Sequence, residues 1–564
     1  MIKKNLYFVS IFFLFFIFSY FSCKNDTDEQ TFIPTTTYSI TLNANGGTIT
    51  GQTVYTINVG EYWRIPESSE LGLSNAPKYF QGWSTTASSN EITYCDNYRF
   101  LPSSNITLYA VWGDIKQEIR TANATKSLQT IIDEITQNNI DSGLLESKTA
   151  YTIYIDGELR GETKIEDKEN PGTSGAKVKI ASSITLIGKK GNSDKLSGGQ
   201  TGTILFINTT APVTIKDLTL SDGKGFTKIS EKHGGAIYIE GNKTTVTLGD
   251  NTILTGNSAD KGGAVYINQG TLNISSEATI KTNNATDGAA IYNDNGSLAM
   301  SKGTISQNTA TSNGGAVYNK GTLSITGGTI SKNNAVLGGG IYHSSSNATL
   351  TGGIIEENAA SDNGGGIYVA GGTLENNGVA VSKNKAQNGA GVYNNATFNM
   401  KGTSISFNEA QENGAGIFNK ETLLITGGYI SNNKATRNGG GIYNEGTSAN
   451  FNNGTIEENT AVNGAGIYNK TDFTIGTHTL QNQTQITVGT VKANTATGKG
   501  GGVYNESGNF VLIAATEESS QKLIFATIKE NSATEGKTWY KEGGTVTIKG
   551  TEMTDSSSDN EIGQ

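Results

Sequence analysis

A repeat of about 25 residues is the feature of this 564-residue sequence that most restricts its fold. A glycine-rich tract, G-[GA]-x-[IV]-[YF], occurs eleven times, and its terminal aromatic residue recurs every 24 to 28 residues, with one interval of 36. Such recurrence is typical of solenoid proteins, in which each repeat packs only on its neighbours. The aromatic residues are Tyr238, Tyr266, Tyr292, Tyr318, Tyr342, Tyr368, Tyr393, Phe418, Tyr443, Tyr468 and Tyr504.

An Asn-x-Ala sequence is the second motif that recurs in each repeat. Each asparagine follows a Leu, Ile or Val by three residues and precedes the next Tyr or Phe by 9 or 10 residues. Asparagine amides that repeat in register can bond to their copies above and below, as they do in stacked sheets. We therefore expect an amide ladder at one corner of the fold, made of Asn257, Asn283, Asn308, Asn333, Asn358, Asn384, Asn408, Asn433, Asn459, Asn494 and Asn531.

A single copy shows how the repeat can fold. Residues 314–335 contain three short β-prone runs, AVYN, TLSIT and TISKN, separated by Gly or Gly-Gly. Glycine tolerates positive φ and so permits sharp corners between flat faces. Each run is too short to be stable alone, but its copy in the next repeat can lie ~4.8 Å above it and complete its hydrogen bonds. The sequence predicts an all-β fold, a right-handed parallel β-helix solenoid with roughly three sheets.

Composition and period exclude several other classes. Glycine accounts for 72 residues but proline for only 6, which excludes a collagen-like chain. Two cysteines are too few for a disulfide framework. The net charge of −9 repels phosphate, so nucleic acid is not an expected partner. The period is too short for a propeller blade, and no leucine-rich-repeat frame is present.

The glycine-rich tract and the asparagine motif together resemble the chlamydial polymorphic outer membrane protein repeat, which is GGAI followed by FxxN. Residues 234–238, 262–266 and 314–318 match the first half. The resemblance covers residues 230–535 and implies a surface-displayed, adhesin-like β-helix. Members of that family end in a membrane β-barrel, whereas this sequence stops at Gln564 after repeats and a polar segment, so we expect a different anchor. The second half is matched, with isoleucine in place of the usual phenylalanine, at Asn308, Asn333 and Asn433.

The start of the sequence has the pattern of an export signal. Two lysines precede residues 6–18, which are almost wholly apolar, as in a signal-peptide core, and too few for a membrane span. Ser22-Cys23 resembles the end of a bacterial lipobox, which implies cleavage after Ser22 and a lipid on Cys23. Ordinary cleavage and an uncleaved anchor are the alternatives. We expect a signal peptide at 1–22 and a lipidated tether at 23–37.

A separate β-rich module is expected at residues 38–113. LNANGG at 42–47, FQGW at 80–83 and LYAVW at 108–112 resemble, in this order, the landmarks of the internalin-type B repeat. The sequence Asn-Gly-Gly in the first of them is also a hairpin signal. The resemblance implies a spacer or interaction module of bacterial surface proteins. We expect its core to contain Phe80, Trp83, Tyr109 and Trp112.

The rest of the chain divides by how regular the repeat is. Residues 114–230 are expected to hold irregular first coils and an amphipathic helix at 127–135 that caps the open end. Residues 231–550 are the regular repeats, and residues 551–564 are a polar tail that ends the stack in solvent. Two insertions of about 11 residues, 477–487 and 514–524, are expected at the same corner of consecutive coils, where a binding site could lie.

No catalytic centre is predicted. His233, His343 and His478 fall at unrelated repeat positions, so we expect no metal site. The Glu-Glu pairs at 356–357 and 457–458 would lie about three coils apart on a solvated acidic face with at most weak affinity for divalent cations. We therefore expect no catalytic residues, no cofactor and no enzyme.

The sequence as a whole indicates a bacterial surface lipoprotein that displays an adhesin-like β-helix. Its expected partners are the outer membrane, through the lipid on Cys23, and a host protein or glycan. An envelope protein that binds or cleaves polysaccharide is the alternative, and so is a purely structural spacer.

Overall fold

The computed structural model describes residues 37–548, except 77, 88, 90, 91, 95–97, 142–146, 170–176, 345, 346, 477–488 and 517–522, together with 551–553, 557, 558 and 562. The chain divides into two units, Met1–Gln117 and Glu118–Gln564. The predicted lipidation site, Cys23, and His478 lie outside the described residues.

The first unit is a small β module with an aromatic core. Trp83 is fully buried, and Phe80 packs edge-on against it and against Trp112, with ring centroids 5.2 and 5.9 Å apart. Trp112 also donates a hydrogen bond to the carbonyl of Ala44, whereas Tyr109, which the sequence predicted in this core, is not part of it. The four-stranded sheet consists, in spatial order, of Val54–Asn58, Thr37–Asn43, Ile106–Gly113 and Tyr79–Ser84, and a second antiparallel pair consists of Trp63–Arg64 and Arg99–Phe100.

The second unit is a parallel β-helix, which confirms the predicted fold class. Strands of three or four residues pair in register with the same strand of the next coil, as Val317 does with Ile341 and Tyr318 with Tyr342. The coils between residues 284 and 496 visit three sheets in turn, and the aliphatic residues that point inward along the whole β-helix form one continuous core.

The first sheet, here called the aromatic sheet, carries the aromatic residue of each repeat. Its parallel strands are Thr163–Glu166, Leu205–Asn208, Ile237–Glu240, Val265–Asn268, Ile291–Asp294, Val317–Asn319, Ile341–His343, Ile367–Val369, Val392–Asn394, Ile417–Asn419, Ile442–Asn444, Ile467–Asn469, Val503–Asn505 and Trp539–Lys541.

The second sheet, here called the broad sheet, receives two strands from most coils. The first strand of each coil is Thr149–Ile155, Ser183–Asn192, Val213–Lys216, Thr245–Leu248, Thr271–Ile274, Ser297–Met300, Thr322–Ile325, Asn347–Leu350, Thr373–Asn376, Thr397–Met400, Phe473–Ile475, Asn509–Leu512 or Thr545–Ile548. The second is Glu158–Arg160, Lys195–Ser197, Thr219–Ser221, Ile253–Thr255, Thr279–Lys281, Thr304–Ser306, Thr329–Ser331, Ile354–Glu356, Ala380–Ser382, Thr403–Ser406, Thr490–Lys492 or Thr527–Lys529. In two coils the pair merges into one strand, Thr422–Ser431 and Ser448–Glu457, and Lys116–Ala122 is assigned to this sheet as well.

The third sheet, here called the corner sheet, is narrow and follows the predicted asparagine ladder. Its strands are Asn284–Ala285, Thr309–Ala310, Asn334–Leu337, Ala359–Asn363, Lys385–Ala386, Glu409–Ala410, Lys434–Ala435, Thr460–Ala461 and Thr495–Ala496. Three antiparallel pairs lie outside these sheets: Lys168–Glu169 with Lys177–Val178, Phe226–Lys228 with Glu231–His233, and Ala514–Thr516 with Leu523–Phe525.

A helix covers the core at the first coils. It runs over Leu128–Asp141, six residues beyond the predicted end, and the Ser127 hydroxyl accepts a hydrogen bond from the backbone N–H of Thr130, as an N-cap does. Its buried face, which includes Ile131 and Ile135, belongs to the same core as the first coils. Stacking begins earlier than the regular sequence repeat, because Thr149–Ile155 already pairs in parallel with Ser183–Asn192.

The C-terminal segment folds back over the last coil, where the sequence predicted a polar tail in solvent. Thr551–Glu552 and Ser557–Ser558 pair antiparallel with the last strands of the broad and aromatic sheets. Ile562 exchanges two backbone hydrogen bonds with Ile528, and both Met553 and Ile562 pack against the core. The reason is physical: the last coil would otherwise expose unpaired strand edges.

Candidate functional site

The asparagines of the Asn-x-Ala motif lie one above another at the corner between the broad and corner sheets. In every asparagine but the last, Nδ2 donates to Oδ1 of the next asparagine at 2.9 to 3.1 Å. The same oxygen accepts the backbone N–H of the asparagine below it, as Asn333 Oδ1 does from Asn308. All are fully buried except Asn531, at the end, which is 8% exposed. The structure thus brings all eleven together, and their side chains bond to one another and to buried backbone carbonyls, as Asn308 Nδ2 does to that of Ile280.

The residue before each ladder asparagine turns the corner with a positive φ. Only Gly256 is a glycine there, and the other ten have φ between 53° and 58°. The sequence analysis assigned positive φ to glycines and missed this row, because its side chains share no chemistry. The row consists of Gly256, Thr282, Gln307, Lys332, Glu357, Lys383, Phe407, Asn432, Glu458, Ala493 and Glu530.

The aromatic residues of the repeat form a column on the aromatic sheet. Thirteen rings, from Phe206 to Tyr540, stack with centroids 4.6 to 5.3 Å apart and planes within 26° of parallel. Burial raises the pKa of Tyr342 to about 12. Each inner ring has both faces covered by its neighbours, so a ligand cannot stack on them. The column therefore stabilises the coils rather than forming a binding platform.

A second amide ladder lies inside the aromatic sheet, and the sequence analysis missed it. Asn293 donates to Asn319 at 2.7 Å, and Nδ2 of Asn319 lies 3.1 Å from Nδ1 of His343, which is fully buried. Val369 interrupts the row one coil later. It resumes with links of 2.7 or 2.8 Å that join Asn394, Asn419, Asn444, Asn469 and Asn505.

The two histidines that the structure describes, His233 and His343, do not contact each other. His343 fills an asparagine position of the second ladder, whereas His233 stacks on Tyr266, with centroids 4.4 Å apart, and lies 3.2 Å from a carboxylate oxygen of Glu231. Within the described residues, no group of three His, Cys, Asp or Glu side chains could hold a metal ion.

The predicted acidic face is neutralised by contacts between coils. Nζ of Lys332 lies 3.5 Å from Glu357 and that of Lys383 lies 3.4 Å from Glu356. In the second Glu-Glu pair, Lys492 lies 3.0 Å from Glu457, and Asn432 donates to Glu458 at 3.0 Å. Strand registers place Glu356 and Glu457 four coils apart, one more than expected. Three of these four carboxylates therefore form ion pairs with lysines of other coils, and the fourth, that of Glu458, accepts a hydrogen bond from an amide.

The two insertions occur at the same place in consecutive coils. The first lies between Phe473–Ile475 and Thr490–Lys492, and the second between Asn509–Leu512 and Thr527–Lys529. These flanking strands pair coil on coil, so the two breaks in the broad sheet are adjacent. Residues 477–488 lie outside the described part of the chain, whereas the second insertion contains the antiparallel pair described above.

Comparison with protein families matches two segments, residues 302–320 and 427–445, to the Chlamydia polymorphic membrane protein repeat. Each segment runs from the second strand of the broad sheet, through a ladder asparagine and the glycine-rich turn, to an aromatic strand. Two segments of the parallel β-helix are thus similar to that repeat. Comparisons with curated proteins and with solved structures found no match. None of the helices in the described residues is long and apolar enough to cross a membrane.

Proposed function

We propose that this protein is a surface lipoprotein whose β-helix is displayed for adhesion. The observation that carries the proposal is the match of two coils to the polymorphic membrane protein repeat. The family supports a location at the outer membrane or cell surface, and the apolar run before Ser22-Cys23 supports a lipid anchor there.

The internal chemistry of the β-helix favours adhesion over catalysis. The ladder asparagines are fully buried and bonded to one another, and the stacked tyrosines shield one another's faces. Residues of the repeat itself therefore stabilise the coils, and recognition falls to side chains that depart from it on the outer faces and to the paired insertions.

An adhesion assay tests the proposal. Cells that express the native chain are compared with cells that lack it for retention on mucin, on extracellular-matrix protein and on a biofilm of the same strain. We expect more cells to be retained when they express the native chain. The Cys23→Ala variant should give no such increase, because it would be exported but would lack the lipid that anchors it to the membrane. Equal retention by cells with and without the chain would contradict the proposal. Deletion of both insertions shows whether they carry the binding.

The alternative is an envelope protein that binds or cleaves polysaccharide. Hydroxyl side chains on the broad sheet favour binding over cleavage, because Thr271, Ser297, Thr322 and Thr373 are half-buried or exposed on its outer face with few charged groups among them. Release of reducing ends from acidic polysaccharides would establish cleavage.

A further inference from the structure

Two exposed aromatic residues break the polar pattern of the β-helix in consecutive coils. Phe407 occupies the corner row of positive φ, where the neighbouring coils have Lys383 and Asn432. Tyr429 occupies an outer row of the broad sheet, between Ser404 in the coil below and Thr455 in the coil above. Each of the two side chains is 55% exposed.

The two aromatic residues lie on the same part of the surface. Tyr429 is in register with Ser404, and Phe407 follows Ser404 by three residues. At ~3.3 Å per residue and ~4.8 Å per coil, their Cα atoms are about 10 to 12 Å apart, which spans more than one sugar ring. Neither ring stacks on another ring in the part of the chain that the structure describes, so a face of each is open to a ligand.

Stability does not explain this pair. Phe407 has a φ of 57°, a conformation that costs a bulky residue about 1 to 2 kcal/mol, and its ring remains more than half exposed. Tyr429 likewise leaves most of its ring in water where neighbouring coils hold serine or threonine. Because the whole corner row shares this φ, the strain does not single out Phe407, but exposed apolar surface concentrated in one place is typical of a binding site.

The surface between the two rings is uncharged and rich in hydroxyl groups. Ser406 and Ser431 are in register, and Oγ of Ser404 donates to Oγ of Ser406 at 3.2 Å. The charged residues at the border are already bonded: Lys383 to Glu356, and Glu458 to Asn432. A neutral ligand is complementary to such a surface, whereas an ionic ligand would have to displace these contacts.

We propose that Phe407, Tyr429 and the serines between them bind a neutral oligosaccharide of the cell surface or biofilm. Aromatic faces pack on the C–H faces of sugar rings, and hydroxyl groups satisfy their polar edges. This inference rests on the proposed adhesive function and names its ligand class. The stacked tyrosine column cannot do the same, because its rings cover one another.

The test uses the purified full chain on immobilised maltohexaose, cellohexaose, laminarihexaose, mannohexaose and chitohexaose, with a sulfated chondroitin hexasaccharide as the charged comparison. We expect binding to at least one neutral hexasaccharide. Phe407→Asn and Tyr429→Ser, which introduce the residues that adjacent coils have at these positions, should each weaken it about tenfold. The matched control is Ile354→Ser, which removes an exposed apolar side chain from the Tyr429 row three coils away.

The outcomes separate this inference from the proposed function. Binding that is lost in both variants and kept in the control, with thermal unfolding midpoints at or above that of the native chain, supports the site. Failure to bind any neutral hexasaccharide, binding of the sulfated one alone, or undiminished binding in the variants overturns it. None of these results depends on where the protein is located in the cell, which is tested separately on intact cells.

Discussion

Nδ2 of Asn308 donates a hydrogen bond of 2.9 Å to Oδ1 of Asn333 in the next coil, and both side chains are fully buried. The same oxygen accepts the backbone N–H of Asn308 at 3.0 Å. One side chain therefore satisfies two donors of the coil below it, and the relationship repeats along the β-helix. Corners of the stack are held by buried amides that have no spare hydrogen-bonding capacity for a ligand.

Removal of one ladder amide should destabilise the fold strongly. Asn358 accepts from the backbone N–H and the side chain of Asn333 and donates to the carbonyl of Ile330 and to Asn384. Asn358→Ala leaves these buried groups unsatisfied, so we expect a loss of about 3 kcal/mol in the free energy of unfolding. Urea unfolding followed by circular dichroism measures it. The exposed Asn347→Ala is the control, and equal effects of the two substitutions would contradict the ladder's role.

The corner row of positive φ predicts opposite effects for two complementary substitutions. Ala493 has a φ of 54°, so Ala493→Gly should stabilise the chain by about 0.5 to 1 kcal/mol. Gly256 has a φ of 66° with open space where a Cβ would lie, so Gly256→Ala should destabilise by a similar amount through backbone strain alone. Thermal unfolding measures both. Ala299→Gly, in an extended strand, should destabilise, and stabilisation there would remove the conformational explanation.

Buried tyrosines predict a loss of stability in strong alkali. Burial raises the pKa of Tyr342 from its ordinary value of 10 to about 12, so the folded chain holds this proton more tightly than the unfolded one. Its contribution to stability is complete below pH 10 and is lost as pH rises through 12. The difference in tyrosinate absorbance between the native chain and Tyr342→Phe should develop only near pH 12. A difference that is complete by pH 11 in folded protein would contradict this burial.

The folded-back C-terminal segment should keep the last coil from associating with other chains. Deletion of residues 551–564 removes the antiparallel partners of the last strands and the cover that Met553 and Ile562 give the core. Exposed strand edges pair with one another, so we expect dimers or larger species. Sedimentation and light scattering detect them. Glu552→Ala, a change at an exposed side chain, should stay in the state of the native chain, and a monomeric deletion variant would show that the segment is dispensable.

The regular part of the fold could be predicted from the sequence because the asparagine and the aromatic residue of each repeat recur at a nearly fixed interval. The interval between asparagine and aromatic residue established the coil length, and a buried apolar residue such as Ile305 three places before Asn308 established which face is inside. A stacked fold repeats its contacts, so one copy is sufficient to interpret the others.

The other features of the structure could not be predicted from the sequence, because they depend on backbone geometry or on sequence patterns that are interrupted. The second amide ladder is interrupted at His343 and Val369, so the asparagines after the aromatic residues did not stand out as a row. The fold-back at the C-terminal end rests mainly on backbone pairing, with Met553 and Ile562 as its apolar contacts to the core. Phe407 and Tyr429 fall at unrelated positions of the repeat, and only the stacking of coils brings them to one surface.

Protease treatment of intact cells tests the central claim, surface display, most directly. Cells that carry an epitope-tagged native chain or its Cys23→Ala variant are treated with proteinase K before and after lysis of the outer membrane. The account predicts that the β-helix of the native chain is digested on intact cells and that the variant is found in the medium or periplasm. Protection on intact cells, followed by digestion after lysis, would contradict surface display and favour a role inside the envelope.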